Sequence, residues 1–256
     1  MSGRLENRTA LVTGATSNIG RAIATAFGAE GAHVAVSGRN AERGQEVVDA
    51  IRAAGGRADF VHADHDGSAA RSRALAEEAM RVLGGRIDVL VNNAGTYPPT
   101  TTPATDEPTF DEVYGVNVKA PYFLTAAIAP AMATAGRGVI IDLGSWIARL
   151  GIPISALYSS TKGAVETLTR AWAAEFGPSG VRVNAISPGV IRPASTPEGS
   201  AAPGESMMRG TPANAPGAPD AIAKAAVYLA SDDAIFVHGT VIDVDGGRTG
   251  VAVVAA

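Results

Sequence analysis

Seven short apolar, β-branched runs recur along the chain, at residues 10–12, 33–36, 60–63, 89–91, 139–143, 183–186 and 241–244. Between them lie helical patterns of about ten to twenty residues. Strands separated by helices are joined by crossovers, so they pair in parallel, and the crossover helices cover both faces of the sheet. The runs are near-continuously apolar, as strands covered on both faces are. The pattern predicts an α/β fold: a doubly wound parallel sheet of about seven strands with helices on both faces, forming a single domain over residues 1–256.

The helical patterns fall at 19–30, 41–54, 68–83, 120–135, 156–176 and 219–230. Gly31, Gly55-Gly56, Gly84-Gly85 and Gly177-Pro178 stand at or near the ends of several, where helix stops belong. Residues 192–219 break the alternation: this stretch carries six prolines and one short helix-compatible piece, residues 198–209. It leaves the sheet after Pro188-Gly189. It is read as a flap over a cleft, because ligands of open α/β sheets bind beyond the strand C-termini; a plain surface loop is the alternative.

The first strand runs into Thr13-Gly14-Ala15-Thr16-Ser17-Asn18-Ile19-Gly20 and then an amphipathic helix. Strand, tight small-residue turn and helix start form a cradle whose backbone N–H groups face an anionic pyrophosphate. Further along, Ser145 precedes Tyr158 by thirteen residues and Lys162 follows it by four. At a spacing of four, Tyr158 and Lys162 project from one helix face. A fixed ammonium beside a phenol favours the phenolate and moves its titration from near 10 toward the working range.

The turn, the Tyr-x-x-x-Lys pair, the upstream serine, Asn92-Asn93-Ala94-Gly95, Pro188-Gly189 and Val244-Asp245-Gly246-Gly247 stand in an order that resembles the short-chain dehydrogenase/reductase family over nearly the whole chain. The resemblance implies a Rossmann-type fold and an NAD(P)-dependent oxidoreductase interconverting a carbonyl and a secondary alcohol. By matching position, Tyr158 would be the general acid/base. Lys162 would lower its pKa and bond the nicotinamide ribose, and Ser145 would hold the substrate oxygen. Asn117 would bend a helix and anchor a proton-relay water, or act as a helix-cap or kink residue alone. Gly14, Ser17, Asn18, Ile19 and Gly20 would line the pyrophosphate side, Asp64 the adenine, Asn93, Ala94 and Gly95 the adenosine ribose, and Gly189 and Ile191 the carboxamide end. Relatives commonly form tetramers through the helices expected at 120–135 and 156–176; a homotetramer, or a dimer, is implied.

The second strand ends Ser37-Gly38-Arg39. Relatives that prefer NAD carry a carboxylate at the position of Gly38, whereas Arg39 suits a 2′-phosphate. NADP is therefore expected, with NAD possible. Ser17 stands where some NADP-using relatives carry a second basic residue. Asn18 replaces the middle glycine of the turn, a place of close backbone approach and positive φ that asparagine tolerates better than most residues. Pro193 replaces a common threonine, for which Ser195 or Thr196 could substitute.

With no cysteine in the chain, thiolate metal sites and cysteine nucleophiles are excluded. His62, Asp64, His65 and Asp66 offer donors enough to suggest a metal, but strand alternation points His62 and Asp64 together, His65 lies already in the turn and no second cluster is evident, so none is expected. His33 and His238 read as structural. A net charge of −4 without a basic stripe argues against nucleic acid. No apolar run reaches the roughly 18 residues that span a bilayer, and the polar start of the chain carries no signal peptide, so a cytoplasmic location away from membranes is expected. The partner is a small carbonyl or alcohol substrate. Tyr97, Trp146, Ile147, Ile152 and Leu157 predict an apolar pocket with an aromatic wall, in which Arg149 or Arg192 supplies the only charge, while Trp146 could instead pack at a subunit contact. An NAD-dependent sugar or polyol dehydrogenase and a non-catalytic dinucleotide-binding regulator are the rival readings; a regulator usually loses the Tyr or the Lys, and both stand here.

Overall fold

The computed structural model describes residues 3–153 and 155–252; the ends of the expected domain lie outside the described residues. The seven strands are β1 (Thr9–Val12), β2 (His33–Gly38), β3 (Arg57–His62), β4 (Val89–Asn92), β5 (Gly138–Leu143), β6 (Val181–Pro188) and β7 (Val241–Val244). They form one sheet in the order β3-β2-β1-β4-β5-β6-β7, with every pairing parallel. β1 pairs β2 on one side, Val12 opposite Val36, and β4 on the other, Val12 opposite Val91. The chain winds outward one way and then the other from this centre, so the crevice opens at the C-terminal ends of β1 and β4.

The helices are α1 (Asn18–Ala29), α2 (Ala41–Ala53), α3 (Ala69–Val82), α4 (Glu107–Tyr114), α5 (Ala120–Thr134), α6 (Ala156–Phe176) and α7 (Pro219–Ala230). They divide the core into two layers. Ile23 and Phe27 of α1, Ile51 of α2 and Ile222 of α7 pack on one face of the sheet; Leu75 of α3, Leu124 and Ile128 of α5 and Trp172 of α6 pack on the other. Phe27 is fully buried, and a truncation to alanine there costs about 3–5 kcal/mol. Local chemistry sets the starts: Asn40 accepts from Arg43 N at 2.8 Å and Asp106 from Thr109 N at 2.9 Å, satisfying first-turn donors.

Several expectations need correction. The third strand starts at Arg57 and ends at His62 instead of spanning 60–63. Helix α4, absent from the sequence reading, has only Val113 fully buried and is too short for a clear period. It runs into a π-helical turn, Gly115–Lys119, before α5. The stop expected at Gly177-Pro178 is present: α6 ends at Phe176, and a 3-10 turn, Gly177–Ser179, follows with Pro178 at its second position. Gly180 carries the positive φ, +80°, and a Cβ there would lie 2.2 Å from Gly136 O. In residues 192–219 the helix-compatible piece is reduced to one 3-10 turn, Glu205–Met208. This segment closes on itself: Arg192 N donates to Gly217 O at 2.8 Å and Gly217 N to Val190 O at 2.9 Å. Among the described residues, no helix is long and apolar enough to cross a membrane.

Candidate active site

A cleft of about 510 Å³ opens over the C-terminal ends of the central strands. Its walls include Gly14, Ser17, Asn18, Ile19, Gly20, Arg39, Asp64, Asn93, Ala94, Gly95, Ser145, Tyr158, Lys162, Gly189 and Ile191. Of the residues singled out from the sequence, Asn117 stands just behind this wall.

One end is made of backbone. Gly14 has φ +63°, and a Cβ on it would lie 2.8 Å from Ala94 Cα; a Cβ on Gly20 would lie 2.3 Å from Gly14 O. The turn after β1 is therefore pressed against the segment after β4, which leaves room only for glycine. Asn93 Nδ2 donates to Thr13 O at 2.8 Å and Gly14 O at 3.2 Å, while Thr13 Oγ1 accepts from Asn93 N and Ala94 N, both at 3.0 Å. The Asn93 side chain thus braces the turn. Asn18 adopts φ +44° at the first position of α1, so its backbone holds the conformation expected of it. Ser17 caps no N–H with its side chain.

Past the end of β2, Arg39 lines the cleft, and so do Thr16, Asn40 and Arg43, which the sequence reading passed over. Arg43 lies four residues beyond Arg39 in the first turn of α2, a spacing that could have signalled it. Neither guanidinium forms an ion pair among the described residues. Asp64 is bound to Arg71 at 2.8 Å, and it lies beyond the end of β3, so strand alternation does not align it with His62. Burial lowers the His65 pKa to about 4 and holds the imidazole neutral. Among the described residues no group of three or more His, Asp or Glu is placed to hold a metal ion.

The other end carries the ionisable groups. Ser145 follows β5 and starts a 3-10 turn, its Oγ accepting from Ile147 N at 3.4 Å. Tyr158 and Lys162 share a face of α6, with Nζ 5.6 Å from the phenol ring centroid. Lys162 is buried and donates to Leu143 O at 2.7 Å. Burial lowers its pKa to about 8, opposed by the Asp142 carboxylate. Burial likewise pushes the Tyr158 phenol up to about 12, against a lowering by the Ser145 hydroxyl. Desolvation therefore outweighs the lowering expected from Lys162, and the phenol stands protonated at neutral pH. Asp142, fully buried, is raised to about 6 by desolvation despite hydrogen bonds from Asn92 at 2.8 Å and Thr169 at 2.8 Å.

Asn117 sits in the π-helical turn. Its Oδ1 accepts from Thr96 N at 2.8 Å, and its Nδ2 donates to Thr96 O at 2.9 Å and Thr161 Oγ1 at 3.1 Å. It ties the segment after β4 to α6 one residue before Lys162.

Beside Tyr158 lies an apolar cluster of Trp146, Ile147, Val190 and Met208, with Leu150, Ile152 and Met207 against it. Trp146 is 5% exposed, its ring covered by Arg248 at 5.2 Å. Tyr97 faces Tyr158 with ring centroids 5.8 Å apart. Arg149 engages Asp243 and Ser187, and Arg192 engages Glu205 at 3.3 Å, while Arg248 forms no ion pair among the described residues. Ser195 and Thr196 do not line the cleft.

Comparisons with known proteins agree with this geometry. A family model described as enoyl-(acyl carrier protein) reductase matches residues 14–249. The cyclopentanol dehydrogenase of Comamonas sp. is 34% identical over 249 residues, 96% of this chain and 99% of that protein. A solved short chain dehydrogenase/reductase family protein is 42% identical, with a TM-score of 0.87 over 97% of this chain and 100% of its own. A solved 7α-hydroxysteroid dehydrogenase complexed with NADH and 7-oxo glycochenodeoxycholic acid is 36% identical, with a TM-score of 0.88 over 95% of each chain.

Proposed function

Since the chain belongs to the short-chain dehydrogenase/reductase family, an oxidoreductase of alcohol and carbonyl groups that uses a nicotinamide dinucleotide, we propose that it interconverts an uncharged, largely apolar ketone and its secondary alcohol with NADP. The observation that carries this reading is the surroundings of Tyr158: it stands between Lys162 and an apolar cluster, with Arg149 and Arg192 engaged by Asp243 and Glu205 and Arg248 laid over the Trp146 ring. With Arg149 and Arg192 engaged and Lys162 turned to the ribose, this apolar surrounding favours an uncharged substrate over a carboxylate or phosphate. Sugars and polyols, which need several polar partners, suit this wall poorly.

Gly14, Ser17, Asn18, Ile19 and Gly20 would hold the pyrophosphate, and the close backbone approach at Gly14 and Gly20 is the cradle it requires. Asn93, Ala94 and Gly95 would meet the adenosine ribose, Asp64 the adenine, and Gly189 and Ile191 the carboxamide end. Arg39 and Arg43, both without an acid partner, support NADP through charge-assisted hydrogen bonds to a 2′-phosphate. The 7α-hydroxysteroid dehydrogenase is complexed with NADH, so the scaffold accepts the unphosphorylated form; the end of β2 inclines this chain the other way.

The bound dinucleotide supplies the hydride. Tyr158 gives its proton to the substrate oxygen during reduction and takes it back during oxidation, while Ser145 Oγ orients that oxygen. Lys162 holds positive charge beside the phenol and a hydroxyl of the ribose. Asn117 fixes the segment after β4 and keeps Thr161 and Lys162 in place. Residues 192–219 cover the substrate, with Met207 and Met208 reaching Trp146. Assembly runs through α5 and α6, where Tyr122 is half exposed against Trp172. A regulator without chemistry would have no use for a buried Lys162 beside Tyr158.

The test is a panel of cyclic and open-chain ketones and alcohols with each coenzyme, followed at the reduced-nicotinamide absorbance. Turnover of apolar ketones with NADPH at tenfold or greater kcat/KM over NADH is expected. A tenfold preference for NADH would reject the NADP assignment, and activity confined to polyols or acids would reject the substrate class.

A further inference from the structure

Gly38 is buried at the end of β2 and does not have a positive φ. Its backbone is open to any residue, so what keeps a side chain out is space. A Cβ at this position would lie 2.6 Å from Thr16 Cγ2, 3.3 Å from Thr16 Oγ1 and 3.6 Å from Thr16 Cβ. The first contact is one that real Cβ atoms do not make. Thr16 is itself 9% exposed, and the turn that carries it is fixed to β2 by Ala15 N donating to Ser37 O at 2.8 Å. The threonine cannot move away as a body.

We propose that Thr16 is a specificity-determining residue: its side chain fills the room that a carboxylate on residue 38 would need, so coenzyme choice is written in the pair Thr16/Gly38 and not in residue 38 alone. The proposal rests on the NADP reading given above for what it says about coenzyme, while its steric half stands independently. An acid at the end of the second strand selects the unphosphorylated ribose by accepting from its hydroxyls and repelling a 2′-phosphate. In this chain that acid cannot be seated while Thr16 keeps its γ atoms. Removing them leaves only Thr16 Cβ, at an ordinary contact distance from the new side chain. Thr16 thereby keeps the end of β2 free of a carboxylate beside Arg39 and Arg43, which line the cleft.

The test compares Gly38→Ala, Gly38→Asp, Thr16→Ala and both double variants with the parent. Readouts are Tm without coenzyme and Kd for NADPH and NADH by titration of reduced-nicotinamide fluorescence. Gly38→Ala and Gly38→Asp should each lower Tm, and Thr16→Ala in the same chain should restore most of that loss, a non-additive coupling of contacting residues. Gly38→Asp alone should weaken NADPH at least tenfold and improve NADH less than threefold. Thr16→Ala/Gly38→Asp should bind NADH at least tenfold more tightly than Gly38→Asp. Should Gly38→Asp fail to fold, recovery of a folded chain on adding Thr16→Ala supports the proposal. An unchanged Tm for Gly38→Ala, a tenfold gain of NADH affinity by Gly38→Asp alone, or a double variant no better than the single would overturn it. If the parent already prefers NADH while the Tm coupling appears, the NADP reading fails and the steric role of Thr16 survives.

Discussion

The two ends of the cleft are built by different means. At the end proposed for the dinucleotide the wall is backbone, and its shape is fixed by contacts that a single carbon would break: Gly14 against Ala94, Gly20 against Gly14, with Asn93 bonded across both segments. At the end proposed for substrate, Tyr158 is backed by side chains drawn from the 3-10 turn after β5 and from the loop holding Met207 and Met208. Rigid backbone suits a ligand shared by many enzymes, and exchangeable side chains suit one that differs among them. Tyr158 and Lys162 stand at the seam.

A variant at the seam should separate the ends most sharply. Tyr158→Phe is expected to lower kcat by about a thousandfold or more, with coenzyme Kd within threefold of the parent; retained turnover would remove the phenol from the chemistry. Next in size is Gly20→Ala. Its Cβ would meet Gly14 O at 2.3 Å, so coenzyme affinity should fall by tenfold or more and stability by about 1–3 kcal/mol. Unchanged coenzyme binding would show the dinucleotide end to be softer than its contacts imply.

Beneath the seam, Asp142 gives a test in pH. Its folded pKa, about 6, lies above the unfolded value, so the folded state binds the extra proton. Stability from that proton is present in acid and is lost as pH rises through about 6. Asp142→Asn should therefore raise Tm at pH 8, worth up to about 2–3 kcal/mol by the size of the shift, and the advantage should vanish near pH 4. Equal gains at both values would mean that charge burial is not the cause. The smallest effect belongs to the substrate end: Met207→Ala should change KM for apolar ketones by about three- to tenfold and leave coenzyme Kd alone. A coenzyme effect as large as the substrate effect would erase the distinction between the ends.

The same contrast governs what could be read from the sequence. Strand positions, six helices and the glycine-rich turn follow from period and from residues with special backbone freedom. Positive φ at Asn18 was expected on chemical grounds and is present. Thr16 escaped because its place arises from the meeting of β2 and the first turn and not from local pattern, whereas the spacing of Arg43 from Arg39 offered a signal. Helix α4 escaped because eight residues with one buried side chain carry no clear period. The engagement of Arg149 by Asp243 joins residues 94 apart in the chain, a distance that no motif spans. Desolvation of Tyr158 was likewise hidden, since a spacing reports that a cation is near but not how much water has been excluded.

The parallel bridge between Ile191 and Gly217 draws the entry and exit of the methionine-bearing loop together beside β6. Between those two posts the loop is held to the rest of the fold at few places, chiefly Ala213 N on Gly246 O at 3.1 Å and the buried Met208. An insertion or exchange between the posts would change this loop as a cassette and leave the scaffold that carries Ser145, Tyr158 and Lys162 as it stands.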